Sequence, residues 1–382
     1  MANSSLTDAK RAKNDEFYTM YQDIEKEIAA YLEYNPDVFR GKIILLPCDD
    51  PEWSNFTKYF AQNFERFGLK KLISTSYALD SKLYKGGYQV TMFEESSPKY
   101  DKNKTKKNGK IFTLTHDLSG DGKIDVNDLE CSYLDGDGDF RSKEVKKLRD
   151  EADIIITNPP FSLFREFLMW VMGADLQFVI IGNKNCVTYK EVFPLFKENK
   201  MWSGRTEWSG GMWFETKNPD DVDKVIDGIN MKNVSSIWLT NIDHGRRHQP
   251  LPLMTLKDNL KYSKHQEIRG RNNYEKYENY DAIEVPFTDA IPSDYNGVMG
   301  VPISFLDKYS PEQFDIIGMC ENEDLYKLKT KVYTTIECKQ SYFDKFRKKG
   351  TYDLNASGVV IRDGLLEKVY QRVLIKHKNK TI

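Results

Sequence analysis

Four short apolar runs punctuate the first half of this 382-residue chain, each ending in polar or proline-containing residues. They are Ile43-Ile44-Leu45-Leu46, Leu72-Ile73-Ser74-Thr75-Ser76-Tyr77, Ala152-Asp153-Ile154-Ile155-Ile156-Thr157 and Phe178-Val179-Ile180-Ile181-Gly182-Asn183. Such runs, short and without alternation, read as strands buried on both faces. Helical patterns separate them. Phe56, Tyr59, Phe60 and Phe64 fall on one face after Ser54, with Gly68 as the stop signal. Leu163, Phe164, Phe167, Leu168 and Val171 repeat the helical spacing, and Met20, Tyr21, Ile24, Ile28, Tyr31 and Leu32 predict a helix over 20–33. Strand–helix–strand alternation of this kind specifies a parallel α/β sheet.

The rhythm has gaps. Residues 94–110 are polar with both charge signs and predict a surface loop; an acidic, glycine-rich stretch follows over 117–139, then a short charged helix over 143–151. From about residue 200 tryptophans, glycines and charged loops replace the βα pattern (Trp202, Trp208, Gly210, Gly211, Trp213). Irregular β structure is expected there, returning to the sheet near 298–320 and 358–376.

The net charge of −2 excludes neither an enzyme nor a nucleic-acid binder, because a polyanion responds to where charges sit. The last 60 residues are locally basic: Lys345, Arg347, Lys348, Lys349, Arg372, Lys376, Lys378 and Lys380. That run reads equally as a solvated surface with a frayed tail. Five scattered cysteines without CxxC spacing point to reduced thiols in the cytoplasm, not to a disulfide scaffold or structural zinc. The polar start, MANSSLTDAKRAK, is no signal peptide, and no apolar run approaches the roughly 20 residues of a membrane span.

Chemistry concentrates at Asn158-Pro159-Pro160-Phe161, where the third apolar run ends. Ligands of open parallel sheets bind beyond the carboxyl ends of strands. A planar exocyclic amine has its lone pair delocalised into the ring. Two acceptors taking its two hydrogens localise that lone pair. The Asn158 side-chain oxygen can be one and the Pro159 carbonyl, stiffened by proline, the other. Phe161 can stack on the ring. A sulfonium methyl donor is already activated, so positioning and electrostatics suffice. The plainer reading is a turn that only ends a strand, with Phe161 in the core. Cys48-Asp49-Asp50-Pro51 ends the first strand, where carboxylates could hold the amino group of methionine or simply sit at a helix N-terminus.

Together with Asp15-Glu16-Phe17-Tyr18-Thr19, Ser54-Asn55-Phe56, Gly136-Asp137-Gly138-Asp139-Phe140-Arg141-Ser142, Ser162-Leu163-Phe164-Arg165-Glu166 and Tyr295-Asn296-Gly297-Val298-Met299-Gly300-Val301-Pro302, these segments resemble the EcoRI-type adenine-specific DNA methyltransferases. The resemblance covers most of the chain. It implies an α/β, Rossmann-like S-adenosylmethionine-dependent methyltransferase sheet with a C-terminal target-recognition portion. It implies methyl transfer to N6 of adenine in double-stranded DNA by base flipping, with a cognate restriction endonuclease as a candidate partner. In its terms residues 1–200 are the catalytic domain with an insertion at about 94–135, 201–297 the target-recognition region, and 298–382 a segment returning to the core with a basic tail. Phe17, Tyr18, Thr19 and Cys48 would line the cofactor pocket, Asp49 and Asp50 would lie near methionine, and Asp139 and Phe140 near the cofactor's adenine. Two departures stand out: no glycine-rich first motif, and no acid within Leu72–Tyr77 to grip the ribose, Asp80 lying too far along.

Asp117, Ser119, Asp121, Asp125 and Asp128 match a calcium-loop template, with glycine at the sixth position, Gly122. An acidic surface turn would look the same. His244-Gly245-Arg246-Arg247-His248, and Arg269-Gly270-Arg271 followed by Tyr274, Tyr277 and Tyr280, mix cations with aromatics in a way that suits phosphate contact and stacking. The same Asn-Pro-Pro-aromatic turn also suits an RNA guanine-N2 or protein glutamine methyltransferase. A calcium-dependent interaction module is a third reading, and it leaves Asn158–Phe161 unexplained.

Overall fold

The computed structural model describes residues 18–49, 54–78, 100–216 and 219–378. They form two compact units, one of residues 1–186 with 201–245, the other of 187–200 with 246–382. Among the described residues no helix is long and apolar enough to cross a membrane.

The first unit is built on an eight-stranded mixed sheet. In chain order its members are β2 (Ile43–Leu46), β3 (Lys71–Ser76), β4 (Lys110–Leu114), β5 (Glu130–Tyr133), β6 (Ile154–Thr157), β7 (Gln177–Asn183), β8 (Trp202–Ser203) and β12 (Ser236–Thr240). Across the sheet they run β5-β4-β3-β2-β6-β7-β12-β8. Strands β3, β2, β6 and β7 are parallel; β4 and β12 flank them antiparallel, and the outermost β5 and β8 are antiparallel to β4 and β12 in turn. All four side chains of β2 are buried, as a strand covered on both faces requires. Each fully buried Ile or Leu there contributes about 2 kcal/mol.

Helix α1 (Tyr21–Tyr34) buries Ile24, Ile28 and Tyr31. Helix α2 (Asn55–Gln62) starts where Ser54 Oγ accepts the Phe56 N–H at 3.1 Å, a serine N-cap. The short helix after it ends at Gly68, φ 63°, the left-handed closure the sequence predicts. A separate antiparallel sheet joins β1 (Tyr18–Thr19), β9 (Met212–Glu215), β10 (Lys224–Ile226) and β11 (Ile229–Val234) in the order β1-β9-β11-β10.

Two expectations change here. The segment read as an insertion at about 94–135 lies outside the described residues over 94–99, and from residue 100 on it supplies β4 and β5 to the large sheet. Lys110–Leu114 alternates buried and half-buried side chains, the signature of a strand with one covered face. The stretches near 298–320 and 358–376 do not return to the large sheet, whose edges β5 and β8 occupy. Their strands β14 (Val298–Pro302), β15 (Phe314–Met319) and β18 (Arg372–His377) join β13 (Ala282–Glu284) in a second sheet, order β13-β14-β18-β15.

That sheet organises the second unit. Tyr277, Tyr280, Ala282, Cys320, Val360, Val369 and Leu374 pack as one cluster. Nearly buried Arg372 reaches Glu284 at 2.6 Å, and Tyr277 donates to the same carboxylate. A hairpin of β16 (Val359–Arg362) and β17 (Leu365–Lys368) and a helix, α6 (Thr335–Phe346), belong to the same unit.

Candidate active site

The parallel strands stand in the order second, first, third, fourth, so the winding reverses between β2 and β6. In open α/β sheets the crevice beyond the carboxyl ends of strands at such a reversal is where ligands bind. Both chemistry-bearing segments of the sequence emerge there, Pro47–Asp49 from β2 and Asn158–Phe161 from β6.

Small hydroxyls lace the strand ends together. Asp49 is buried, and its carboxylate accepts from Thr157 Oγ1 at 2.6 Å and from Ser54 Oγ at 2.8 Å. Ser74 Oγ donates to the Asp49 carbonyl at 2.9 Å, and Thr75 Oγ1 to the Pro47 carbonyl at 3.1 Å. Asp49 therefore ties β2, β6 and the start of α2 into one unit, through hydrogen bonds strengthened by its charge.

Asn158 follows Thr157 directly. It is half-buried, and its side-chain oxygen is buried. Pro159 is buried, and the Pro160 carbonyl turns back to accept the Leu163 N–H at 2.9 Å. Phe161 is half-buried, its ring edge-on to Phe214 with centroids 6.3 Å apart. Phe214 stands opposite Thr19 in the β1–β9 pair, and the Thr19 carbonyl accepts from Asn55 Nδ2 at 2.8 Å. Residues from 19 to 214 thus close a ring around the end of β6. Two hydroxyls of this edge, Thr19 Oγ1 and Ser76 Oγ, are buried without a hydrogen-bond partner among the described residues. Unpaired buried hydroxyls are costly, which makes them candidates for ligand contact.

The 136–141 loop lies against the end of β3. Ala78 N–H donates to the Asp137 carbonyl at 2.7 Å. Gly138 sits at φ +85°, and a Cβ there would overlap the Ser76 carbonyl oxygen, so only glycine lets the loop approach. Asp139 accepts from the Arg141 guanidinium at 2.6 and 2.9 Å and from the Tyr77 hydroxyl. Burial raises its pKa, but these donors outweigh burial and hold it at about 2. Burial first, and then the Asp139 contact, push the Tyr77 hydroxyl up. Arg141 also reaches Glu166 at 2.9 Å, in the helix after the Asn-Pro-Pro turn, α4 (Phe164–Met172). Asp139 thus stands beside Tyr77, the residue after β3.

Other expected residues fall elsewhere. Phe140 is fully buried against Phe167 and Trp170, centroids 5.2 and 5.6 Å away. Tyr18 and Cys48 are half-buried at the carboxyl edge, while Phe17 and Asp50 lie outside the described residues. In the 117–128 loop the carboxylates bind the loop's own amides. Asp128 accepts from Leu118, Ser119 and Asp125, and Asp117 from Gly120 and Gly122. Asp121 and Asp125 cap the turns at Lys123 and Asn127, and Ser119 donates to Asp117. No group of three acids, histidines or cysteines suited to a metal ion forms among the described residues, so the calcium expectation gives way to a self-capped acidic turn.

The basic motifs separate too. Arg246 pairs with Asp307 at 2.9 Å with only 14% of its side chain exposed, and buried Arg247 bonds Asn199. Arg269 and Arg271 are exposed, the latter paired to Glu275 at 2.9 Å. Tyr274, Tyr277 and Tyr280 are core residues, not a stacking platform. The sequence reading named Ser54 only as the start of a helix and within the family resemblance, and gave Tyr77 and Thr157 no role; hydroxyls at the strand ends were the available signal for the last two.

A family model described as adenine-specific methyltransferase EcoRI matches residues 5–378. The chain is 42% identical over 328 residues to the type II methyltransferase M.EcoRI of Escherichia coli, spanning 84% of this chain and 91% of that protein. It is 34% identical over 334 residues to M.MpnI of Mycoplasma pneumoniae, with 85% and 89% covered. The corresponding figures for M.MgeORF184P of Mycoplasma genitalium are 32% over 337 residues, with 86% and 90% covered. No solved structure matches the chain at a significant level. With matches of this extent, the chain belongs to the EcoRI family of adenine-specific methyltransferases.

Proposed function

We propose that this chain is a site-specific DNA methyltransferase that moves a methyl group from S-adenosylmethionine to N6 of adenine. The observation that carries the reading is Asn158-Pro159-Pro160-Phe161 at the end of β6, at the reversal of strand order, in a member of this family. The 2-1-3-4 order of the parallel strands supports a Rossmann-like sheet.

When bound, S-adenosylmethionine supplies an activated methyl group. The unpartnered hydroxyls of Thr19 and Ser76 fit a polar ligand along this edge, and Tyr18, Cys48 and Asp139 border it. Phe17 and Asp50, outside the described residues, complete the expected pocket. Asp49 has a different role in this reading. With its carboxylate on Ser54 and Thr157 it fixes the strand ends, and so orients Asn158.

N6 is hidden within a duplex, so the target adenine must leave the stack. The Asn158 side-chain oxygen and the Pro159 carbonyl accept the two amino hydrogens and turn the nitrogen lone pair outward. Phe161, braced by Phe214, supplies a face for the base. The proton left on nitrogen after transfer is acidic enough to pass to solvent without a dedicated strong base. In this reading target recognition is assigned to the second unit, 187–200 with 246–382, because residues 202–240 contribute strands to the first. The type II designation of the relatives extends the proposal to a cognate endonuclease acting on the same sequence.

The test is incubation with tritiated S-adenosylmethionine and unmethylated DNA, RNA or protein, followed by nucleoside analysis. Label in N6-methyladenine of DNA is expected. Label in RNA guanine or protein glutamine, with none in DNA, would replace this reading by the other amine chemistry.

A further inference from the structure

Helix α6 is held in place from one side only. Thr334 and Glu337 form a capping box at its start. Cys338 and Ser341 are buried, Ser341 Oγ donates to the Leu366 carbonyl at 3.0 Å, and Lys345 pairs with Glu367 at 2.8 Å. The opposite face is bare. Ile336 is 79% exposed and Phe343 46%, with exposed Lys339 and Gln340 between them. At 100° per residue these four side chains share an arc of about 100°. The helix carboxylates Glu337 and Asp344 stand outside it, Asp344 accepting from Gln340 Nε2 at 2.8 Å, a contact that base pairing by Gln340 would replace. Just beyond the helix come exposed Arg347, Lys348 and Lys349, which make no ion pair among the described residues.

We propose that this face of α6 enters the major groove of duplex DNA and reads bases, with Arg347–Lys349 on the phosphates. The inference rests on the DNA methyltransferase reading above. Charge selects the occupant: an arc without acids beside three unpaired cations suits a polyanion. The side chains suit base edges as well. Glutamine pairs with adenine N6 and N7, lysine with guanine O6 and N7, and apolar groups with the thymine methyl. A 12-residue helix is about 18 Å long and fits a groove about 12 Å wide.

An unmethylated plasmid of known sequence, treated with the full chain and S-adenosylmethionine, gives the wild-type recognition sequence when its methylated adenines are mapped. Lys339→Ala/Gln340→Ala is expected to make at least one position of that sequence degenerate and to slow methylation of the original site about ten-fold. If that variant is too slow to map, competition among duplexes with single-base changes reads the same loss of discrimination. Arg347→Ala/Lys348→Ala/Lys349→Ala is expected to keep the sequence but weaken binding to cognate and scrambled duplexes alike, with a salt slope shallower by about 2–3. Melting temperature and S-adenosylmethionine affinity stay at wild-type values in both, because the residues are exposed and far in sequence from the first unit. An unchanged recognition sequence and unchanged discrimination in the first variant, or an unchanged salt slope in the second, overturns the proposal. A wild-type chain that methylates no adenine in DNA overturns the functional reading instead.

Discussion

Residues 117–128 and 135–141 look alike as sequence, both short, acidic and rich in glycine, yet they are used in opposite ways. The first caps itself: Asp117 and Asp128 accept amides of their own loop, and Gly120 and Gly122 open onto empty space. The second is fastened to the sheet. Gly138 meets the end of β3, and Asp139 is shared by Tyr77 and Arg141. Carboxylate content does not tell the two apart; what the carboxylates face does, even though Ile124 and Val126 of the first loop pack on the core.

The largest effect should appear at the sheet edge that the second loop borders. Asn158→Ala is expected to lower kcat at least about 100-fold, about 2.7 kcal/mol, with S-adenosylmethionine affinity retained, whereas no single substitution in 117–128 should change kcat. Steady-state kinetics and calorimetry check both halves, and an Asn158 variant of normal turnover would remove the contrast. Next, Gly138→Ala forces a side chain into the Ser76 carbonyl at positive φ and should cost about 2–3 kcal/mol of stability. Gly122→Ala, at φ +83° in open space, should cost about 1 kcal/mol. Equal melting shifts for the two would mean that both loops are equally loose.

A smaller effect is expected at Asp139. Asp139→Ala should weaken S-adenosylmethionine binding about ten-fold by calorimetry, about 1.4 kcal/mol. Its pH behaviour follows from the depressed pKa. The Asp139 contribution to stability is present above about pH 4, the unfolded value, and is lost as pH falls toward 2. Asp139→Asn should flatten that part of the acid limb. The smallest difference concerns calcium: melting curves in chelator and in millimolar calcium should coincide, and a calcium-dependent rise would return the first loop to the metal sites.

What was legible in the sequence was local. Ile43–Leu46 and Ile154–Thr157 announce themselves because strands covered on both faces need continuous apolar runs, and Asn158–Phe161 follows from where the second run stops. Strand β4 was hidden because one-sided burial leaves only alternation, here inside a lysine-rich stretch. The hydrogen bond between Asp49 and Thr157 spans 108 residues, and no local pattern encodes it. Arg246 and Arg247 read as free cations because Asp307 and Asn199 are distant in sequence. The division into two units was equally hidden, since 187–200 leaves the first and joins the second.

That same 108-residue bond sets a schedule for the growing chain. At about 5–20 residues per second, Asp49 is joined to the chain roughly 5–20 s before Thr157. Through that interval the apolar edge of β2 that will receive β6 has no native neighbour. Hydrophobic segments exposed in this way are the ones chaperones hold and aggregation exploits. The hydrogen bond that fixes the strand ends beside Asn158 is therefore also a seam that stays open through that interval, and a synthesis pause between residues 50 and 150 would prolong it.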